Sequence, residues 1–307
     1  MTRPLKVGVQ LPEAERVVRW PELRRMAASA ESVGVDSLWV GDHLLYRGDG
    51  LPERGPWEAW TTLGAIAAVT ERVAIGPLVA ATSFHNPAML AKKAATVDEI
   101  SGGRLILGLG AGWNEVEYRA FGFLYDHRVS RFEEAFTIIR TLLAGGRCDF
   151  AGDYYQLEDC VLQPPPRPGG PPLMIGSMGP RMLAIALPHV GSWNAWFTWF
   201  GNTLAGYREL RAKIDVACVD AGRDPSEVER TVALFVAFDG AQGRQLGDLA
   251  EPDVQPIDGA DPAGVAAELR RYAAEGVAHV QLVLDPITAD TIEALAAILA
   301  ALDARSQ

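Results

Sequence analysis

The stretch RLILGLGAGWNEVEYRAFG, residues 104–122, runs from an apolar strand through three alternating glycines into an amphipathic helix. A dinucleotide-binding turn requires G-x-G-x-x-G, in which the third glycine lets the helix pack closely on its strand. After Gly108 and Gly110, the position of that third glycine is occupied by Trp113. The turn also lies a third of the way along the chain, whereas the fingerprint belongs to a first βα unit. The stretch therefore indicates a strand-to-helix turn of a different α/β architecture.

Short apolar runs that favour strands recur along the chain and alternate with segments whose apolar residues repeat every three or four positions. The predicted strands cover residues 7–12, 37–44, 72–79, 104–110, 172–177, 190–196, 230–238 and 279–284, and the clearest helical patterns cover 21–34, 57–71, 86–103 and 204–222. Continuous apolar strands, each followed by a helix, indicate a parallel sheet. Eight such units in 307 residues predict one α/β domain over residues 1–307, a closed (β/α)8 TIM barrel, with a doubly wound open sheet as the alternative.

Glycines and prolines mark the predicted helix ends. Glycine suits the left-handed position after a helix, and proline suits the first helical turn. The glycines predicted to follow helices are Gly34, Gly102 and Gly145, and the prolines predicted to begin them are Pro21, Pro87 and Pro180. Two segments do not fit the repeat. Residues 146–172, after helix 4, favour a hairpin with a proline-rich return, and residues 239–259, after strand 7, favour a long polar loop that could serve as a lid.

Charge and composition narrow the choice of partner. The formal net charge of -11 disfavours nucleic acid and anionic membrane surfaces, so a small-molecule substrate is expected. The apolar stretch 61–84 is interrupted by Glu71 and Arg72, which argues against a membrane span. Three cysteines without C-x-x-C spacing, and an N-terminal stretch that enters a strand directly, favour the cytoplasm.

In a barrel of this kind the reactive groups lie in the turns after the strands. Polar and glycine residues cluster in those predicted turns: Asp42, His43, Gly76, Pro77, Gly110, Ala111, Gly112, Trp113, Asn114, Gly176, Ser177, Met178, Gly179, Pro180, Arg181, Trp193 and Asn194. The segment GSMGPR (176–181) frees backbone amides at the start of a helix, which suits a phosphate group, although an ordinary βα turn has the same composition. His43 has a side chain suited to proton transfer near neutral pH, with a structural histidine as the alternative.

The sequence lacks the motifs of metal-dependent and serine-nucleophile enzymes. The five histidines are scattered and H-E-x-x-H is absent, so no metal site is predicted. The nucleophile pattern G-x-S-x-G is absent as well. The aromatic residues between 193 and 200 are compatible either with a wall for a flat ligand or with core packing.

Three segments together resemble the bacterial luciferase-like superfamily, in particular its coenzyme F420-dependent branch. They are WVGDHL (39–44), the block from Glu58 to Gly122, and PPLMIGSMGPRMLAIA (171–186), and the resemblance spans most of residues 5–200. The resemblance implies a TIM barrel, often a homodimer, that binds F420 or FMN at the carboxyl ends of its strands. It also implies that the turn GLGAGWNE borders the flavin-type ring, with small residues permitting close approach.

The resemblance implies a role for several individual residues. It implies that His43 lies near the reactive ring carbon, that Asp42 contacts the ring, and that residues 176–181 hold the cofactor phosphate. In this family strand 3 often contains a non-prolyl cis peptide that backs the ring, and the matching position is Gly76-Pro77-Leu78. A cis bond at Gly76-Pro77 would be an ordinary X-Pro bond, which argues against the usual bulge.

The function implied is hydride transfer between F420 and a small organic substrate, with His43 stabilising charge or supplying the proton. Some F420 enzymes have a catalytic glutamate where this chain has Trp113, and Glu115 is nearby. For the anionic cofactor tail the candidate cations are Arg47, Arg54, Lys92 and Lys93. The alternatives are an FMN-dependent monooxygenase, a cofactor-binding barrel without turnover and a metal-dependent hydrolase, and the lack of clustered His and Asp argues against the last.

Overall fold

The computed structural model describes residues 3–48, 50–244 and 254–304. The strands are β1 (Lys6–Gln10), β2 (Ser37–Val40), β3 (Ala74–Pro77), β4 (Ala80–Ala81), β5 (Leu107–Gly110), β6 (Cys148–Ala151), β7 (Gln156–Cys160), β8 (Leu173–Ile175), β9 (Ser192–Ala195), β10 (Glu229–Ala237), β11 (Ile257–Asp258) and β12 (Val277–Asp285). The helices are α1 (Trp20–Val33), α2 (Ala59–Val69), α3 (Pro87–Ser101), α4 (Glu115–Phe121), α5 (Arg128–Leu143), α6 (Pro180–Ala186), α7 (Leu204–Asp220), α8 (Pro262–Ala274) and α9 (Ala289–Asp303).

The main sheet is parallel, with the order β3-β2-β1-β12-β10-β9-β8-β5-β4. Two backbone hydrogen bonds close it on itself: Ile75 N–H donates to Arg104 O at 3.0 Å, and Ile106 N–H donates to Ile75 O at 2.8 Å. Because β3 and β4 are two parts of one barrel position, the ring has eight strands. The predicted (β/α)8 barrel is confirmed, and the open-sheet alternative is wrong.

Helix ends follow the local sequence as predicted. Pro21, Pro87 and Pro180 lie in the first turns of α1, α3 and α6, and Gly34 and Gly102 adopt left-handed conformations directly after α1 and α3. Gly145 is also left-handed, two residues beyond the end of α5. No helix of the described ranges is long and apolar enough to cross a membrane.

The barrel interior contains a polar cluster below the mouth. His279 Nε2 lies 2.7 Å from Ser37 Oγ, and Ser37 Oγ accepts a hydrogen bond from the indole Nε1 of Trp39 at 2.7 Å. Burial lowers the pKa of His279 to about 3, and the positive charge of Lys6 adds to this effect. His279 is therefore a neutral, structural histidine.

Both predicted insertions occupy the expected places. The hairpin β6–β7 follows α5 and is antiparallel. Beyond β10, Asp285 Oδ2 fixes the start of the second insertion by accepting the amide hydrogens of Gln242 at 3.0 Å and Gly243 at 2.7 Å. The end of that insertion includes β11, which pairs with β10. Nine of the 21 residues of the predicted lid, 245–253, lie outside the described residues.

The third barrel strand differs from the prediction. The sequence predicted one strand over 72–79 and argued against a non-prolyl bulge, but β3 ends at Pro77 and the peptide bond Leu78–Val79 is cis. Gly76–Pro77 is not among the cis bonds of the described residues. The strand is shorter than predicted, and the bulge that the sequence left in doubt is present one residue beyond Pro77, because proline is compatible with an extended strand end, where its fixed φ fits.

Candidate active site

His43, in the turn after β2, is held by a carboxylate from another turn. Its Nδ1 lies 2.9 Å from Oε2 of Glu117, which belongs to α4 and is completely buried. Because a carboxylate only accepts hydrogen bonds, Nδ1 carries the hydrogen and Nε2 is the free ring nitrogen. The imidazole therefore has a fixed orientation and one nitrogen available for proton transfer.

The other oxygen of Glu117 fixes the backbone beside the histidine. Oε1 accepts hydrogen bonds from the amides of Leu44 and Leu45, the latter at 3.1 Å. Asn114, at the start of the same helix, donates from Nδ2 to Leu45 O at 3.1 Å. Both carboxylate oxygens of Glu117 and the amide of Asn114 thus connect the turns after β2 and β5. These contacts hold His43 in a fixed position relative to the β5 turn.

A second carboxylate lies on the free side of the imidazole. Glu13 Oε1 is 3.9 Å from His43 Nε2 and accepts the hydroxyl hydrogen of Tyr46. The other Glu13 oxygen accepts from Gln10 Nε2 at 2.7 Å and from the guanidinium of Arg244 at 2.9 Å. Glu13 is buried, so these bonds replace the solvation that a buried carboxylate loses.

Arg244 completes this cluster from the second insertion. It is 5% exposed, pairs with Glu15 at 2.6 Å as well as with Glu13, and lies 5.2 Å from the ring centre of Trp196. The nearby carboxylates outweigh the effect of burial and raise its pKa. Arg244 is therefore a permanent cation that balances part of the negative charge around His43.

The electrostatic effects on His43 oppose each other. Burial lowers the pKa of its imidazole, whereas the charge of Glu13, the hydrogen bond and charge of Glu117, and the charge of Asp42 raise it. The net effect is a pKa above the ordinary value. A histidine with this environment can hold a proton near neutral pH and release it to a neighbouring acceptor.

Asp42 precedes His43 and lies in a separate hydrogen-bonded chain. Its Oδ2 accepts from the amide of Ala81 at 2.9 Å and from Nε2 of His85 at 2.8 Å. Lys93 Nζ lies 3.4 Å from His85 Nδ1, and an ammonium only donates, so the hydrogen of His85 lies on Nε2. No described residue donates to the second oxygen of Asp42, Oδ1.

Two glycines of β5 and one in the turn after β8 pack against the bulge of the third strand. A Cβ on Gly110 would lie 2.8 Å from a methyl carbon of Val79, and one on Gly176 would lie 3.0 Å from another. A Cβ on Gly108 would lie 2.4 Å from the carbonyl oxygen of Pro77. The space that these glycines leave is thus taken by Pro77 and Val79, and direct contact of Gly110 with a cofactor ring stays a prediction.

The β5 turn brings an aromatic ring to the histidine. The ring centres of His43 and Trp113 are 5.5 Å apart, edge to face, and Trp113 is 38% exposed. Gly112 has a left-handed backbone, and a Cβ there would lie 2.1 Å from the hydroxyl of Tyr118, which donates to Ala111 O at 2.9 Å. The glycine is required for the shape of the turn that presents Trp113.

The turn after β8 is the predicted phosphate loop. The Ser177 carbonyl accepts the indole hydrogen of Trp193 at 2.8 Å, and Ser177 Oγ accepts from the amide of Gly179 at 3.2 Å. Met178 and Pro180 are exposed at this edge. In the described part of the chain no group accepts from the amides of Ser177 or Met178.

Three predicted cofactor residues have other partners. Arg181 turns towards α5, where it pairs with Glu133 at 2.7 Å and donates to Ser130 Oγ at 3.0 Å. Trp193 is fully buried in the main core beneath the phosphate loop. Asn194 is buried in the barrel and donates to Thr231 and Gln281. Trp193 therefore supports the loop through Ser177, and Asn194 fixes strands β9, β10 and β12.

The remaining predicted residues lie around the third strand and the rim. Gly76 packs closely on Trp39 and on the backbone of Ile106, and Leu78 packs with Trp39 and Met174 inside the barrel. Among the candidate cations, Lys93 contacts His85, Arg54 lies 5.7 Å from the ring centre of Tyr46, Arg47 pairs with Glu53, and Lys92 donates to Gln163 O. Only Lys93 and Arg54 are next to residues of the His43 and Asp42 groups.

Sequence reasoning missed three residues that define the site: Glu13, Glu117 and Arg244. It considered Glu115, which is 43% exposed and pairs with Arg119 one helical turn away. The carboxylate that contacts His43 is the next acidic residue, Glu117. A signal was available, since an acidic residue between Val116 and Tyr118 on the buried side of a short helix is unusual. Gly41 was a weaker signal, because a Cβ added there would lie 2.4 Å from the carboxylate of Glu13.

In the described ranges, no group of three or more His, Cys, Asp or Glu side chains is arranged to hold a metal ion.

A histidine oriented by a buried carboxylate, at the mouth of a TIM barrel with a bulged third strand, defines a class of barrel oxidoreductases. The chain belongs to the luciferase-like monooxygenase family, whose model matches residues 4–279. The resemblance seen in the sequence is thereby confirmed, and the match continues well beyond residue 200.

Similar curated proteins include an F420-dependent glucose-6-phosphate dehydrogenase of Amycolatopsis mediterranei, 32% identical over 243 residues that make up 76% of this chain and 70% of the relative. A 5,10-methylenetetrahydromethanopterin reductase of Archaeoglobus fulgidus is 31% identical over 59% of this chain and 50% of its own length. Among solved structures, an F420-dependent secondary alcohol dehydrogenase with an F420-acetone adduct has a TM-score of 0.78 at 21% identity, covering 98% of this chain and 99% of that one. The EDTA monooxygenase of Chelativorans sp. BNC1 has a TM-score of 0.77 at 17% identity, covering 98% and 93%. These two structures confirm the fold.

Proposed function

We propose that this protein is an oxidoreductase that transfers a hydride between coenzyme F420 and a small organic substrate at the barrel mouth. The observation that carries the proposal is the His43–Glu117 pair, which leaves Nε2 of a fixed imidazole as the available proton-transfer group. Similar proteins that are named as F420-dependent enzymes support the choice of cofactor.

The residues present fit such a cofactor in two places. Oδ1 of Asp42 is an unused acceptor on a buried carboxylate, suited to an N–H of a flavin-type ring. The amides of Ser177 and Met178 are unused donors at the predicted phosphate loop. The family resemblance implies that the bulge at Leu78 and Val79 would back the ring.

The roles of the chain follow from this placement. Bound F420 supplies a ring carbon that accepts or donates a hydride. His43 Nε2 takes the hydroxyl proton of an alcohol substrate, or returns it to a carbonyl, on the same face. Glu117 holds the imidazole in position, and Glu13 favours its protonated form. Trp113 shields the reacting atoms from water at the edge of the site.

The cation of the predicted phosphate loop is Arg181, which would meet the anionic tail of the cofactor. Arg181 is 58% exposed and already pairs with Glu133, so its guanidinium would be shared between that carboxylate and a phosphate.

The family resemblance also favours a homodimer in the cytoplasm. Light scattering of the purified protein tests the dimer.

Separate titrations of the apoprotein with F420 and with FMN, followed by fluorescence, test the cofactor. We expect saturable binding of F420 and much weaker binding of FMN. Tight binding of FMN alone would overturn the proposal and favour the FMN-dependent monooxygenase, an alternative supported by the family description and the EDTA monooxygenase structure.

The variant His43→Ala tests the catalytic role. It should bind F420 with unchanged affinity within about threefold, because His43 is placed to act on the substrate, and should lose at least about a hundredfold in turnover of the best substrate found by screening alcohols and ketones. Full turnover by this variant would show that His43 is structural. Binding of F420 without turnover by the unmodified protein of any compound screened would favour a cofactor-binding role.

A further inference from the structure

Two cysteines face each other across the hairpin insertion, away from the barrel mouth. Cys148 of β6 is the direct partner of Cys160 of β7 in the antiparallel register. Opposed residues in such a pair have Cα atoms about 4.5–5.5 Å apart. A disulfide requires a separation of about 4.4–6.8 Å, which includes this spacing, and the irregularity in the register begins only beyond Cys148, towards Phe150. Both residues are free thiols in the structure.

The hairpin is held in the conformation that opposes the two thiols. A carboxylate of α5, Glu134, accepts the amide hydrogens of Asp153, Tyr154 and Tyr155 at 2.8, 3.0 and 3.0 Å and so fixes the turn. Beside the cysteines, the amide of Asp159 donates to Asp149 Oδ1 at 2.7 Å. The pair is therefore anchored at both ends of the hairpin.

The two thiols differ in accessibility. Cys148 is 4% exposed and belongs to the main core, whereas Cys160 is only partly buried against that core. Burial raises the pKa of Cys148, and the neighbouring Cys160 and Asp149 add to the effect. Cys218 lies in α7, completely buried, with Arg230 as its neighbour. An oxidant from solution would thus reach Cys160 first.

We propose that Cys148 and Cys160 form an intramolecular disulfide when the protein meets a peroxide. The Cys160 thiolate attacks one oxygen of hydrogen peroxide, the O–O bond breaks, and a sulfenic acid and water result. The Cys148 sulfur then attacks Cys160 Sγ, and the sulfenic oxygen leaves as a second water. In sum, two thiols and one peroxide give one disulfide and two waters.

The bond would close a short loop within an element that is already folded. Cross-linking restricts the unfolded chain more than the folded one, so the oxidised protein should be more stable than the reduced protein. We expect a melting temperature a few degrees higher after oxidation, and a return to the starting value after treatment with a dithiol reductant.

Exposure of the purified full-length protein to hydrogen peroxide tests the proposal. Intact mass should fall by about 2 Da and thiols counted in denaturant should fall from three to one, with peptide mapping joining residues 148 and 160. The control Cys218→Ser should form the same bond, and Cys148→Ser should instead leave a sulfenic acid at Cys160 that dimedone traps. A gain of oxygen atoms at Cys160 in the unmodified protein, or a link to Cys218 or between molecules, would overturn the proposal.

Discussion

His43 and Glu117 are 74 positions apart in the chain, yet Nδ1 of the imidazole lies 2.9 Å from Oε2 of the carboxylate. The contact connects the turn after β2 with the helix after β5, and these two elements lie on either side of the barrel position that β3 and β4 share. It sets which ring nitrogen carries the hydrogen, and it places the other one beside Glu13. The orientation of the proposed catalytic group therefore depends on a completely buried carboxylate from a different element.

Replacement of Glu117 by glutamine should lower the apparent pKa of His43, because it removes a negative charge that favours the imidazolium. The acid limb of the kcat/KM profile should shift to lower pH, and kcat should fall by about tenfold or more as the imidazole loses its fixed orientation. Turnover measured against pH checks both effects.

The matched control for that change is Glu115→Gln, on the same helix but exposed and paired with Arg119. It should leave the pH profile and kcat unchanged. A Glu117→Gln enzyme with normal kcat and an unshifted profile would show that Glu117 only supports the fold.

The chain from Lys93 through His85 to Asp42 should contribute to cofactor affinity. Changing His85 to leucine removes the donor 2.8 Å from Asp42 Oδ2, so that the amide of Ala81 alone holds the carboxylate. We expect the dissociation constant for F420 to rise about tenfold, as for the loss of one charge-assisted hydrogen bond.

Lys92→Leu serves as the comparison, since Lys92 lies on the same helix and bonds the carbonyl of Gln163 instead. Its affinity for F420 should match that of the unmodified protein. Equal affinities in all three proteins would place Asp42 outside the cofactor site.

Two glycine-to-alanine changes should have opposite effects on stability. At Gly108 the new Cβ would lie 2.4 Å from the carbonyl oxygen of Pro77, and backbone cannot move aside cheaply, so the free energy of unfolding should fall by about 1–3 kcal/mol. At Gly64, within α2, no atom lies within 4 Å of the new Cβ, and alanine should stabilise the helix by about 0.5–1 kcal/mol. Urea unfolding curves of both variants test this, and a stabilising Gly108→Ala would contradict the close approach of β5 to the bulge.

Protonation of His279 should limit stability in acid. Its folded-state pKa is lowered to about 3 by burial, so the unfolded chain binds the proton first as the pH falls below about 6.5. The stability that the neutral histidine provides at neutral pH is lost progressively down to about pH 3.

Comparison with His279→Gln isolates this contribution, because glutamine has no proton to gain and can still bond Ser37. Between about pH 7 and pH 5 the unmodified protein should lose roughly 2 kcal/mol more than the variant in urea unfolding. If both proteins lost the same free energy of unfolding between pH 7 and pH 5, protonation of His279 would not destabilise the folded state.

The sequence alone was sufficient to predict the barrel. Eight apolar runs separated by helical periodicity, with Pro87 and Gly102 bounding a helix between them, are local signals that hold wherever the segments lie in space. The position of His43 at the mouth follows in the same way, because residues at the carboxyl end of a barrel strand face the mouth. Its role in proton transfer came from the family resemblance and stays a prediction.

Only the tertiary structure decided what surrounds that histidine. Glu117 comes from helix α4, Glu13 from the loop after β1 and Arg244 from the insertion after β10. No spacing in the chain relates them to residue 43. Arg181 shows the reverse, since its position in a helix turn predicted a phosphate contact whereas its side chain reaches Glu133 on another helix. Local sequence determines backbone conformation, but the partner of a charged side chain depends on which loops the closed barrel brings within a few ångströms.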